Sequence, residues 1–265
     1  MTKNERRNRP KSPYAKGKSD KSGTGGPGWL WGRHAVLAAV ANPRRKIERL
    51  VVTRNAARDL PEGTKHDMED PAVIDRLLPP GAVHQGFALQ SAEPDSEPLR
   101  AVADPTHGLL LVLDQVTDPH NAGAILRSAA AFGVRAVIMQ DRKSPPLSGA
   151  LAKAAVGAAE TVSVIRVTNI ADTILELREA GRFAIGLAGE ADGDLHDLVA
   201  RHGGPGLVIV MGSEDKGLRP RVADSCDALA RIPMTDRVES LNVSVAAAVA
   251  LYEAHRARVT KGQAD

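Results

Sequence analysis

Three stretches of this chain place polar residues where apolar segments end. The first is "DPHNAGAILRSAAAFG" (118–133). Its Asp118-Pro119-His120-Asn121 opening reads as a turn entering a helix. A helix N-terminus offers free N–H groups and the positive end of a dipole, which suits a phosphate. Arg127 follows on the second turn, and long helical side chains lean back over the residues three and four earlier. Here those are Ala124 and Gly123, which leave the guanidinium room toward the helix mouth. The second stretch is "GLVIVMGSEDKGLRP" (206–220), an apolar run closed by Gly212, where a ligand can approach the backbone. Glu214 projects from the turn that follows. The third, "SLNVSVAAAVALY" (240–252), opens the most apolar helical run in the chain with Ser240, Asn242 and Ser244. A capping residue explains one polar side chain, not three. Each stretch alone also has an ordinary reading: an Asn cap with a surface Arg, a plain strand-to-helix turn, and an N-cap pair with Ser244 bonding back inside the helix.

Other chemistries lack their residues. There is no G-x-x-x-x-G-K-[ST] and no strand-linked G-x-G-x-x-G, so nucleoside triphosphates and dinucleotides lose support. No G-x-S-x-G surrounds Ser213, which makes it a poor hydrolase nucleophile. The eight histidines are scattered and none pairs with Cys or Glu at ligand spacing, so no metal is expected. Cys226 is the only cysteine, so no internal disulfide forms and the chain reads as cytoplasmic. The longest apolar run, Val245 to Tyr252, is far too short to cross a bilayer. No membrane association is expected.

Alternating elements must hold the three stretches in place. "GLLLVLD", "RAVIM", "TVSVIRV", "RFAIGLA" and "GLVIVMG" read as short buried strands. "NAGAILRSAAAFG", "SGALAKAAVGAAE", "IADTILELREAG" and "SVAAAVALYEAHRARV" read as helices. This alternation predicts an α/β fold: a mostly parallel sheet with helices on both faces. Ligands bind beyond the carboxyl ends of such strands, where the three stretches fall. A smaller α/β unit precedes it at 29–91, with a helix in "WGRHAVLAAV", a strand in "IERLVVT", a helix in "DMEDPAVIDRLL" and a strand in "GFALQ". Residues 92–105, rich in proline and charge, read as a linker.

Charge is uneven. Residues 1–28 hold eight basic side chains against Glu5 and Asp20, so this arm carries +6 of a chain whose net charge is +3, and the remainder carries −3. Its Gly, Ser and Pro content predicts a disordered tail, and a basic tail suits a polyanion such as RNA or serves only solubility. Residues 259–265 form a short terminal tail.

Together, "DPHNAGAILRSAAAFG", "VIVMGSEDKGL" and "IPMTDRVESLNVSVAAAVALYE" resemble the three signature motifs of the SpoU/TrmH family of RNA 2′-O-ribose methyltransferases. They occur in the family's order, over roughly residues 106–258. "WGRHAVLAAV" and "VHQGFAL" in the N-terminal unit resemble the substrate-binding domain of the branch that methylates a guanosine in 23S ribosomal RNA. The resemblance implies a deep C-terminal trefoil knot of the SPOUT type, which general topology rules would not suggest. It also implies S-adenosylmethionine as methyl donor, RNA as partner, no metal, and a homodimer built through the knotted domain.

It further implies roles. Arg127 is the catalytic residue, with Asn121, Glu214, Ser240 and Asn242 around it. Asn121 positions Arg127 and the ribose. Leu187, Gly189, Met211, Gly212, Ile232, Met234 and Leu241 line the donor pocket. "SLNVS" becomes a site wall, with polar residues toward substrate and apolar ones toward adenine and core. Aromatic residues are only 3% of the chain, so phosphate contacts and loop shape are expected to select the RNA ahead of base stacking. A tRNA ribose methyltransferase of the same family, a methyltransferase conferring antibiotic resistance at another ribosomal site, and a non-catalytic RNA-binding or assembly factor remain alternatives.

Overall fold

The computed structural model describes residues 28–235 and 237–262; the basic arm at 1–27 and the last three tail residues lie outside the described residues. The first unit comprises β1 (Gly28–Trp31), α1 (Arg33–Ala41), β2 (Ile47–Val52), β3 (Asp67–Met68), α2 (Pro71–Leu77) and β4 (Phe87–Ser91). Its sheet runs β1-β4-β2-β3, antiparallel except for the β2–β3 pair. Successive strand residues face opposite sides. Leu50 and Val52 therefore join a core with α1, while Val51 joins a second core with Ile74 of α2. Asp67 and Met68 were expected in a helix; they pair with Val51 and Val52 instead, and the helix starts at Pro71.

The segment read as a linker is partly ordered by contacts. It forms α3 (Arg100–Ala103), whose Val102 is buried. Buried Arg182 donates to the carbonyls of Val102, Ala103, Asp104 and Gly108 at 2.6–2.9 Å. Burial pulls this guanidinium's pKa down to about 10, so it is still charged at neutral pH.

The second unit contains β5 (Leu110–Leu113), α4 (Pro119–Ala131), β6 (Ala136–Gln140), α5 (Gly149–Ala155), α6 (Ala158–Thr161), β7 (Ser163–Val167), α7 (Ile170–Glu179), β8 (Phe183–Leu187), β9 (Gly193–Asp194), α8 (Leu195–His202), β10 (Leu207–Met211), α9 (Pro220–Asp224), β11 (Ala228–Arg231) and α10 (Val243–Thr260). Its seven strands run β7-β6-β5-β10-β8-β11-β9, and every pairing is parallel. Every residue of β5 and β10 is buried, as strands covered on both faces require. Leu111, Leu113, Ile209 and Met211 point to the face covered by α4, α5, α8 and α10. Leu110, Val112, Val208 and Val210 point to the face under α7 and α9. Each buried aliphatic side chain contributes about 1.5–3 kcal/mol to such a core.

The chain after β7 crosses to β8 and later returns to place β10 between β5 and β8. Strand order thus reverses at β5 and β10, and such a switch point opens a crevice at the carboxyl ends.

Two elements depart from the sequence reading. The helix expected over 148–160 is broken at Val156 (φ 51°) and Gly157 (φ 90°). A Cβ at Gly157 would lie 2.9 Å from the Cβ of Ala38, so the break lets α1 approach. The strand β9 and helix α8 fill 193–202, where no element was expected.

Candidate active site

The N-terminus of α4 begins three residues earlier than the Asn cap suggested. Asp118 is the cap: its carboxylate accepts from the amides of His120 (3.1 Å) and Asn121 (3.3 Å), with Pro119 in the first turn. Asn121 is thereby released from capping. Its Nδ2 donates to Glu214 Oε1. Asn242, the cap of α10, accepts through Oδ1 from the amide of Ser244 (2.9 Å) and from its hydroxyl (2.6 Å). The Nδ2 of Asn242 then donates to Asn121 Oδ1 (3.2 Å) and Glu214 Oε1 (3.3 Å). Three side chains from three strand-end segments close one ring of hydrogen bonds. Ser244 bonds to the cap residue and not back into its own helix.

Gly212 is buried, and what approaches it is the protein's own loop. Ser213 and Gly217 exchange both backbone hydrogen bonds at 3.0 Å. A Cβ on Gly212 would lie 2.1 Å from the carbonyl carbon of Gly217. The tight turn at 213–217 therefore needs glycine at 212, and it presents Glu214 to the two asparagines. Gly189 is the opposite case: nothing lies within 4 Å of a Cβ built there.

Beside the ring, the ends of β8, β10 and β11 and the 239–243 segment enclose a cavity of about 410 Å³. Leu187, Gly189, Met211, Gly212, Ile232, Met234 and Leu241 all line it, as do Glu214 and Ser240. Glu190, Ser213, Lys216 and Arg231 add polar groups that the sequence reading missed. A second cavity, about 70 Å³, adjoins the first through Ser213, Glu214 and Asp215 and is walled by Gln115, Thr117 and Asp118. Gln115 has φ 59°, an unusual value for a residue other than glycine, and such strain clusters at functional sites. No sequence signal marked it.

Arg127 is not part of the ring. It is exposed on α4, with no hydrogen bond or ion pair among the described residues, and none joins it to Asn121. Six residues at 100° each place it about 120° around the helix from Asn121. The room expected at Gly123 is also taken: a Cβ there would meet Leu151 O at 2.5 Å, because α5 packs on that face. Arg127 thus projects to solvent from the same helix that supplies Asn121.

Neighbouring groups are structural. Asp114, fully buried, holds Arg219 at 2.6 Å and so fixes the start of α9. Burial pushes the Cys226 thiol up to about 12, which removes it as a nucleophile at neutral pH. Among the described residues, no cluster of three or more His, Cys, Asp and Glu side chains could hold a metal ion, and no helix is long and apolar enough to cross a membrane.

A parallel sheet with a part-apolar cleft at its carboxyl ends, rimmed by a carboxylate and two carboxamides, defines an α/β protein built to hold a small organic molecule beside a polar partner. Comparison with known proteins narrows this. Residues 108–252 match the SpoU rRNA Methylase family, and residues 29–96 match the RNA 2′-O ribose methyltransferase substrate binding family. The chain belongs to the SpoU rRNA methylase family. It is 43% identical over 246 residues to the 23S rRNA (guanosine-2′-O-)-methyltransferase RlmB of Vibrio cholerae, a match covering 87% of this chain and 97% of that one. An rRNA methyltransferase from Sinorhizobium meliloti, solved with AdoMet bound, superposes with a TM-score of 0.73 at 28% identity over 87% of each chain. A TrmH/SpoU tRNA modifying enzyme from A. aeolicus superposes with a TM-score of 0.53 at 26% identity, covering 62% of this chain and 84% of that one.

Proposed function

We propose that this protein transfers the methyl group of S-adenosylmethionine to the 2′-hydroxyl of a guanosine ribose in 23S ribosomal RNA. The carrying observation is that the match to the 23S rRNA guanosine methyltransferase runs through both units and covers 87% of the chain. The match to a tRNA-modifying enzyme covers 62%.

The cavity fits the donor. About 410 Å³ lies within the usual range for sites of this kind, roughly 300–1,000 Å³. Leu187, Met211, Ile232 and Leu241 suit an adenine, and the open backbone at Gly189 suits close approach. When bound there, S-adenosylmethionine supplies an electrophilic methyl group and its own leaving group. The chain's residues do the rest. Ser240 and the 213–217 turn hold the acceptor beside the cleft. The Asn121–Glu214–Asn242 ring fixes the 214 carboxylate and offers polar atoms to a ribose. Arg127, exposed and without a hydrogen-bond or ion-pair partner among the described residues, binds the adjacent phosphate and stabilises the developing alkoxide. As the O–C bond forms, the C–S bond breaks, S-adenosylhomocysteine leaves with that bonding pair, and the hydroxyl proton passes to solvent.

The reading includes a division of labour: residues 29–91 recruit RNA, and residues 106–258 carry out the transfer. It includes a trefoil knot, with the segment 237–242 ahead of α10 as part of the tucked loop. Support comes from strand order, because the chain returns to the middle of the sheet at β10, and from the 239–242 segment lying beside the turn that follows β10. It includes a homodimer through α10, supported by the exposed Val245, Val249, Tyr252 and Val259 along that helix.

The test is methyl transfer from labelled S-adenosylmethionine to 23S ribosomal RNA fragments with tRNA in competition, the product located by mass spectrometry. Label on a guanosine ribose of the 23S fragment is the expected result. Label on tRNA keeps the chemistry and removes the substrate. Absence of donor binding removes both and favours an RNA-binding factor.

A further inference from the structure

The loop between β6 and α5, residues 141–148, starts beside the active site and ends at the joint between the two units. Leu113 of β5 pairs in register with Met139 of β6, so this loop leaves the sheet alongside the turn that carries Asp118 and Asn121. The larger cavity lies on the other side of that turn, among the ends of β10, β8 and β11. The β5–β6 side is therefore where a second, larger molecule can lie without crossing the donor cleft.

The loop is held at both ends. The amide of Asp141 donates to Val167 O (2.9 Å) and that of Ser144 to Gln140 O (3.2 Å). Arg166 donates to Pro145 O at 2.8 Å, and the Leu147 amide donates to Glu93 at 2.7 Å. Arg45 of the N-terminal unit donates to Leu147 O at 3.1 Å. Between these anchors stand Arg142 and Lys143, both exposed. Neither has a hydrogen-bond or ion-pair partner among the described residues. Arg33, Arg49, Arg178, Arg219 and Arg221 each meet a carboxylate within 3 Å. Two adjacent free cations on an anchored loop are set up for an external anion, and their spacing along the chain suits consecutive phosphates of a polynucleotide.

We infer that Arg142 and Lys143 bind backbone phosphates of the acceptor RNA between the N-terminal unit and the active site, and so set the target ribose against Arg127 and the asparagine ring. The inference rests on the proposed RNA substrate. It makes this pair positioning residues, since neither reaches the reacting atoms.

The experiment compares wild type, the double variant Arg142→Gln/Lys143→Gln, the charge-keeping Arg142→Lys/Lys143→Arg, and Arg201→Gln. Arg201 is an exposed cation at the end of α8, at the amino edge of the sheet. Affinity for a 23S fragment is titrated against salt, and methyl transfer and donor affinity are measured alongside. Each lost phosphate contact reduces the slope of log K against log salt by about one, so the double variant becomes shallower by about two. Its KM for RNA rises, while kcat stays within about twofold and donor affinity is unchanged, as removal of uniform binding requires. The charge-keeping variant restores the slope and Arg201→Gln leaves it unchanged. A slope equal to wild type, or one lost equally in Arg201→Gln, overturns the inference. Wild-type protein that binds the fragment but methylates nothing would overturn the proposed activity instead, and the salt slopes would still decide this point.

Discussion

Asn242 explains why the most apolar helix opens on polar residues. One side chain serves two ends: its carbonyl oxygen caps α10 through Ser244, and its amide joins Asn121 and Glu214. Residue types at this site were readable because carboxamides and a carboxylate at strand ends have few structural reasons to recur. Their mutual bonds were not readable, because residues 121, 214 and 242 meet only through the sheet. Arg127 was readable by type and misread by direction. Sequence places it above Gly123, but α5 occupies that face, so the guanidinium points to solvent. A solvent-facing Arg that meets RNA only when substrate docks contributes nothing to holding the donor. Arg127→Ala is therefore expected to abolish methyl transfer while leaving donor affinity within about twofold, the signature of an interaction made only with the acceptor or its transition state. Label incorporation and calorimetric titration of donor check this, and near-normal turnover would remove Arg127 from the mechanism.

At the scale of elements, caps and breaks decide where the site residues stand. Asp118 starts α4 early enough to free Asn121, which its position directly ahead of Pro119 could have signalled. The helix α8 was missed although Leu195, Leu198 and Val199 repeat at helical spacing; its eight residues sit among Gly, Asp and His, which read as loop. The break at 156–157 could not have been seen, since its cause is Ala38 from another unit. The cap of α10 makes a separable prediction. Asn and Asp cap about equally well, whereas Ala costs about 1 kcal/mol. Asn242→Asp keeps the cap but loses both donated bonds, to Asn121 and Glu214, and sets a second carboxylate against Glu214. The variant is expected to unfold within about 1 kcal/mol of wild type in urea and to lose most methyl transfer, whereas Asn242→Ala loses both. A fully active Asn242→Asp would mean that the ring serves only to hold the helix.

Across the whole molecule, the joint between the two units combines apolar packing, with Ala152 of α5 buried in the N-terminal core, and one buried ion pair. Arg45 follows α1, Glu160 lies in α6, and their side chains are 0% and 3% exposed. Arg45 meets both carboxylate oxygens at 2.7–3.1 Å and also bonds the carbonyls of Ala92 and Leu147, while Asn42 supplies a further donor to Glu160 at 2.8 Å. The two N-terminal sequence motifs join the same contact. Gln85 of "VHQGFAL" caps Arg33 of "WGRHAVLAAV" at 3.1 Å, and Lys153 of α5 donates to Val83 O at 2.8 Å. The strand-and-helix pattern was legible on either side of the proline-rich stretch; the joint was not, because 115 residues separate Arg45 from Glu160. Removing one charge of a buried pair strands the other, at a cost of about 3–5 kcal/mol. Glu160→Ala is thus expected to lower the denaturation midpoint and to raise KM for RNA, as the N-terminal unit loses its fixed orientation, with donor affinity unchanged. The paired replacement Arg45→Met/Glu160→Leu removes the stranded charge and is expected to recover most of the stability. If it recovers stability but not KM, the pair acts through the orientation that its directional bonds impose. If Glu160→Ala leaves both the midpoint and KM unchanged, the two units do not depend on this ion pair in solution.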